Sequence, residues 1–233
     1  MGLNKIDWNK YFGDWCDNRQ WKEFLSTRYM YSVLKYLSQE YKTKVIFPRR
    51  EDIFKCFKLC SIEDVKVVIL GNEPYTDGKA TGLAYANPPL GRLNSDLQQI
   101  RNSLERDLYS GMNLNFNPTL ENWAEQGVLL LNTSLTSQKG VTRAHEEVWD
   151  KFIRFVLSYI AEYKAGTVVL FWGEDAQKYR VIDGFDIVST CYLMKGKHPS
   201  ESTKEDRDWH CSHFSETNKL LRYNNGKECS IEW

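Results

Sequence analysis

The sequence predicts an α/β fold built on parallel strands. Four short apolar runs carry that expectation: Val65–Leu70, Val128–Asn132, Thr167–Trp172 and Ile187–Leu193. Each has strand length and little polar alternation, the pattern of a strand covered on both faces. Helical stripes lie between them, and strands alternating with helices imply an open sheet. Each run also leads into polar, turn-forming residues, and open α/β sheets place their ligand sites at the carboxyl ends of the strands.

The elements follow in order. Met30, Val33, Leu34, Leu37 and Tyr41 recur at helical spacing within residues 25–42. Val45-Ile46-Phe47-Pro48 reads as extended, because Pro48 biases its predecessor away from helix. Residues 51–59 bring Ile53, Phe54 and Phe57 onto one helical face. The first strand ends at Gly71, and Leu93, Leu97, Ile100, Leu104 and Leu108 form the next helical stripe. After the second strand, Trp149, Phe152, Ile153, Val156, Leu157 and Ile160 form another, and Phe214, Thr217 and Leu221 suggest a C-terminal helix.

Composition bounds the function. The chain has 233 residues, 42% hydrophobic, with 31 Lys+Arg against 31 Asp+Glu. Balanced charge and ordinary apolar content argue against disorder. Zero net charge argues against a grip on nucleic acid by bulk positive charge. No run approaches the ~18 apolar residues of a membrane helix. The segment Met1-Gly2-Leu3-Asn4-Lys5-Ile6 has no apolar signal core. Cys16, Cys56, Cys60, Cys191, Cys211 and Cys229 therefore read as reduced thiols of an intracellular protein, cytoplasmic or nuclear. Cys56 and Cys60 have no second close cysteine pair, and His210-Cys211-Ser212-His213 lacks zinc-finger spacing, so no metal is expected.

The expected strand ends are Gly71-Asn72-Glu73-Pro74-Tyr75, Asn132-Thr133-Ser134, Gly173-Glu174-Asp175 and Lys197-His198-Pro199-Ser200. Taken singly, Glu73 reads as a turn acid, Asn132 as a turn former, His198 as a loop residue and Tyr85 as core. Converging on one cleft, they would offer a carboxylate, a carboxamide, an imidazole and an aromatic face.

These residues carry a resemblance. Val67-Val68-Ile69-Leu70-Gly71-Asn72-Glu73-Pro74-Tyr75 resembles the water-activating motif of family-1 uracil-DNA glycosylases, which usually reads Gly-Gln-Asp-Pro-Tyr. Ala80–Tyr85, Trp123–Asn132, His198-Pro199-Ser200, His213–Asn218 and Ile231-Glu232-Trp233 resemble its later motifs in order, from roughly Trp8 to the last residue. The resemblance implies one three-layer α/β/α domain over residues 1–233 with a central four-stranded parallel sheet, and residues 1–24 as an extension packed on it. It implies metal-independent hydrolysis of the bond between uracil and deoxyribose, with the base flipped out of the stack and no cofactor. Glu73 would be the anion that positions water, and His198 the donor to uracil O2. Asn132 would read O4 and N3, Tyr85 would stack, Tyr75 would exclude a C5 methyl, and the backbone at Asn72 would cradle the base. Pro88, Pro89, Ser200 and Ser202 would contact DNA. The implied partners are uracil-containing DNA, single- or double-stranded, and a protein inhibitor or replication partner. The protein would act as a monomer and without a membrane.

The sequence also departs from that family. Glu73 replaces Asp, one methylene longer, and a misplacement of ~1 Å can lower a rate on the order of 100-fold. Ser202 falls where the family carries a Leu that wedges into the gap left by the flipped base. Glu174 replaces a phosphate-binding Ser, and residues 197–208 carry an acidic excess of one. A preference for single strands, where unstacking costs little, follows from these changes. Two other readings remain: a glycosylase for a modified pyrimidine, and a non-catalytic module that binds DNA or a replication partner.

Overall fold

A computed structural model describes residues 6–112, 114–182, 185–186, 190–204 and 209–233, with residues 182, 185, 186 and 202–204 described in backbone only. Positions 205–208, three of them acidic, the start of the fourth apolar run and the side chain of Ser202 lie outside that description.

Four strands form the central sheet: β1 (Val67–Gly71), β2 (Val128–Asn132), β3 (Val168–Trp172) and β4 (Tyr192–Gly196). All pair in parallel, in the order β2-β1-β3-β4. Every residue of β1, β2 and β3 is buried, which is why their sequences are continuous apolar runs.

The expected fourth strand, Ile187–Leu193, is displaced toward the C-terminus, since β4 begins at Tyr192. Among the described residues β4 pairs with β3 alone; its Met194 is buried while Tyr192 and Lys195 are exposed. Its sequence is half-polar, matching its partial exposure, whereas the stretch before it is apolar.

The helices of the described residues include α1 (Arg28–Thr43), α2 (Ser95–Leu108), α3 (Glu146–Tyr163), α4 (Pro199–Lys204) and α5 (His213–Asn225). α1 starts where the Thr27 hydroxyl accepts from the Met30 amide at 3.3 Å. The expected helix over residues 51–59 is broken into a 3₁₀ turn, Arg50–Asp52, and a short helix, Lys55–Leu59. Its apolar residues Ile53, Phe54 and Phe57 are nevertheless buried.

The crossover from β1 to β2 runs one way along the sheet and that from β2 to β3 runs the other. Right-handed crossovers therefore put α2 and α3 on opposite faces. α2 shares its layer with α5: Ser215 Oγ donates to Asp107 at 2.7 Å, and the Cys211 amide donates to Ser103 Oγ at 3.0 Å. α3 shares the other with α1, where Tyr29 donates to the Val148 carbonyl at 2.6 Å. On that side Phe12, Trp15 and Trp21 are fully buried, and Phe12 packs 5.2 Å from Phe57 and 6.2 Å from Phe152, centroid to centroid. The early residues thus belong to the same apolar cluster as the sheet.

The pairing register sets Gly71 beside Asn132 and Trp172 beside Gly196. The polar segments that follow all four strands therefore emerge along one edge of the sheet.

Candidate active site

The exits of β1 and β2 are stapled together. The Gly71 carbonyl accepts from the Thr133 amide at 2.8 Å, and the Asn72 carbonyl accepts from the Ser134 amide at 2.9 Å and the Thr133 hydroxyl at 2.7 Å. Asn132 is buried. Asn72 Oδ1 is buried without a partner among the described residues. Buried amide groups are rarely left unpaired, so Asn72 Oδ1 is available to a ligand.

Gly71 brings the next groups close. A Cβ there would press on Asn132 Oδ1 and stand 3.0 Å from Ala84 Cβ and 3.4 Å from Tyr85 Cε2. Tyr85 is buried at φ 63°, uncommon for a residue with a side chain, and such strain collects at functional sites. Its hydroxyl donates to the Leu70 carbonyl at 3.4 Å, and its own carbonyl accepts from the Tyr75 hydroxyl at 3.1 Å. Burial pushes both phenols well above the usual tyrosine range. The Tyr85 ring lies 5.8 Å from that of His198 and 5.5 Å from that of Trp172.

His198 approaches β3 at Gly173, where a Cβ would lie 2.7 Å from His198 Cβ. Trp209 Nε1 donates to the Lys197 carbonyl at 2.9 Å and so holds the end of β4. His198 Nδ1 accepts from the Ser200 amide at 3.2 Å, with Ser200 Oγ at 2.7 Å. A backbone N–H can only donate, so Nδ1 carries no proton and the neutral ring bears its proton on Nε2.

Glu73 is half-buried on the wall of a cleft of about 310 Å³, with Asn72, Thr133, Arg143, Glu146 and Asp175. Both its oxygens accept from the Arg143 amide, at 2.9 and 3.1 Å. Burial raises the Glu73 pKa; that hydrogen bond and the Arg143 charge oppose it, while Glu146 and Asp175 add to the rise. The Arg143 guanidinium pairs with Asp175, which also bonds Lys178 at 2.5 Å. Burial works upward on Asp175 too, but Lys178 and Arg143 outweigh it and hold its carboxyl below the usual range.

A family model matches residues 57–222: the uracil DNA glycosylase superfamily. The chain belongs to that superfamily. A uracil-DNA glycosylase of Buchnera aphidicola is 36% identical over 207 residues, which cover 86% of this chain and 92% of that one. One of Haemophilus influenzae is 39% identical over 193 residues, covering 82% and 85%. The crystal structure of mimivirus uracil-DNA glycosylase has the same fold, with a TM-score of 0.84 at 21% identity over 100% of this chain and 89% of that one. A variant of the mimivirus enzyme in complex with UGI matches equally, with a TM-score of 0.84.

Seen as a uracil-DNA glycosylase fold, the structure gathers Asn132, Tyr75, Tyr85 and His198 around the end of β1. Glu73 and Asn72 meet them from the adjoining cleft, and Ser200 touches His198. Pro88 is half-buried and Pro89 is exposed. Ser202 lies in the backbone of α4. The expected packing roles of other residues hold: His213 is buried and accepts from Trp172 Nε1 at 2.8 Å, and burial pushes the Cys60 thiol up to about 12. Among the described residues no group of three or more His, Cys, Asp or Glu could hold a metal ion. The residue that sequence reasoning missed is Arg143. It sits in a loop outside every motif and touches Glu73 through its backbone, which leaves no mark in sequence.

Proposed function

We propose that the protein is a uracil-DNA glycosylase: it hydrolyses the N-glycosidic bond of uracil in DNA and leaves an abasic site. The observation that carries the assignment of roles is the buried Asn132 side chain, which meets Gly71 together with the Tyr85 ring, itself 5.8 Å from the His198 ring. An amide can donate to uracil O4 and accept from N3–H, and cytosine presents the opposite pattern at both atoms. Tyr85 stacks on the base. Tyr75, held by its hydrogen bond to Tyr85, stands against C5 and excludes a methyl group.

The chemistry divides between two groups. As the bond from C1′ to N1 breaks, the base takes the electron pair and the sugar gains positive charge. The neutral His198 ring offers its Nε2–H to O2 of the departing anion, an electrostatic stabilisation that needs no charged imidazole. The Glu73 carboxylate stabilises the cationic sugar, orients the water that adds to C1′ and takes up the proton that this water loses. The backbone at Asn72, with its unpaired Oδ1, lines the base site.

Pro88, Pro89, Ser200 and Ser202 are the proposed DNA contacts. Ser202 cannot supply an apolar wedge, and Glu174, exposed at the end of β3, repels phosphate. Single strands are therefore the favoured substrate. A protein inhibitor is a proposed partner, since the mimivirus relative is seen with UGI. The protein works as a monomeric single domain inside the cell. No helix among the described residues is long and apolar enough to cross a membrane.

The test is base release from oligonucleotides carrying uracil, 5-substituted uracils, thymine or cytosine, read as alkali-labile sites. Uracil in single strands is expected to react fastest, Glu73→Ala to abolish release, and Glu73→Asp to retain it. Release from cytosine at the uracil rate, or full activity in Glu73→Ala, refutes the reading.

A further inference from the structure

Glu73 is longer by a methylene than the acid usual in its motif, so something must set where its carboxylate comes to rest. The loop between β2 and α3 does so. Both carboxylate oxygens meet one N–H, that of Arg143, at 2.9 and 3.1 Å. Arg143 holds φ at 58°, the left-handed region that residues with a side chain seldom adopt. Such a turn persists only where its surroundings over-determine it. The Arg143 side chain supplies the anchor: its guanidinium pairs with Asp175, just past the end of β3, and comes within 3.9 Å of Glu146. Lys178 holds Asp175 from the other side at 2.5 Å. A chain of contacts thus runs from the end of β3 through Arg143 to the carboxylate at the end of β1.

We propose that Arg143 and Asp175 form a clamp that positions Glu73 for base release. Arg143 and Asp175 are positioning residues: neither needs to touch the substrate, and both act through the direction of one backbone amide. The inference rests on the role proposed for Glu73 and adds how this chain seats the longer acid.

The charges facing Glu73 give the clamp a signature of its own. Arg143 lowers the Glu73 pKa, while Glu146 and Asp175 raise it. Removing the guanidinium leaves two carboxylates uncompensated, so the acid limb of the activity profile moves to higher pH. Removing the Asp175 charge has the opposite electrostatic effect on Glu73. If Asp175 acted on Glu73 only through space, Asp175→Asn would hold or raise activity at low pH. The clamp requires it to lower kcat at every pH.

The experiment compares Arg143→Ala, Arg143→Lys, Asp175→Asn, the double variant Arg143→Ala/Asp175→Asn and Glu73→Ala in the full chain, with kcat, KM and the pH profile on a single-stranded uracil oligonucleotide. The Arg143 side chain is 59% exposed, so its removal is tolerated, and thermal melting verifies folding. Displacing the carboxylate by a fraction of an ångström is expected to lower kcat about ten-fold in Arg143→Ala and in Asp175→Asn, with KM within two-fold. The double variant falls no further than either single one, because both break the same chain. Arg143→Lys recovers part of the loss. The acid limb of Arg143→Ala moves to higher pH. Unchanged kcat in both single variants overturns the clamp, as does a loss confined to KM with altered salt dependence, which would make Arg143 a phosphate contact. Full activity in Glu73→Ala would instead remove the reading on which the clamp stands.

Discussion

Gly173→Ala tests whether the placement of His198 governs catalysis. Gly173 has φ 92° and ψ 164°, a region essentially restricted to glycine, and a side chain there costs about 1–3 kcal/mol of stability. The new Cβ would also lie 2.7 Å from His198 Cβ, against an optimal carbon separation of about 3.5–4.0 Å. The shortfall is about 1 Å, and His198 must give way, because Gly173 is fastened to the Gly196 carbonyl at 2.9 Å through its own amide. A shift of ~1 Å in a reacting group lowers a rate on the order of 100-fold, equivalent to about 2.7 kcal/mol of barrier. Gly226 provides the control. Its backbone is nearly the same, φ 98° and ψ 163°, but a Cβ there meets nothing within 4 Å. Both alanine variants should lose stability in urea unfolding through the shared backbone strain, Gly173→Ala by more because of its clash with His198. Only Gly173→Ala should lose about two orders of magnitude in single-turnover uracil release below its melting temperature. Equal release rates from the two variants would show that His198 can move without consequence, and the role assigned to it would fall.

Asn132→Asp should lower uracil release by about 100-fold or more, because an ionised carboxylate only accepts and would face uracil O4; a rate within three-fold of the parent would end the assignment of Asn132 as the base reader. Phe12→Ala should destabilise the protein by about 3–5 kcal/mol in urea unfolding, since the ring is fully buried and sits 4.7 Å from Phe54. A change below about 1 kcal/mol would separate the early residues from the core. The acidic excess over residues 197–208 predicts few phosphate contacts, so the logarithm of DNA affinity should fall against the logarithm of salt with a slope no steeper than about −2. A slope near −6 would place the contact surface elsewhere.

Much of this protein is legible without coordinates. The three fully buried strands declare themselves because burial on both faces leaves almost no polar position; the Asn-Glu-Pro-Tyr segment marks the end of β1 and the His-Pro-Ser segment that of β4. The edge strand β4 is misread because exposed Tyr192 and Lys195 interrupt its apolar residues, so the apolar stretch before it looks more like a strand. The early aromatic residues read as an extension because residues 7–25 contain only short helical pieces with no sustained period. Their contacts to Phe57 and Phe152 exist only across the folded chain.

The sequence by itself determined the order of the strands along the chain and which chemical groups stand at their carboxyl ends. Side-chain identity and the pattern of burial are written residue by residue, so both can be read there. Only the tertiary structure decided how those groups are aimed. The Ser200 amide settles the tautomer of His198, and the missing Cβ atoms of Gly71 and Gly173 admit Asn132 and His198. The left-handed turn at Arg143 seats the carboxylate of Glu73. Each of these is a property of the backbone path. Every residue but proline carries the same N–H, and where it points is set by the packing of segments far apart in the chain.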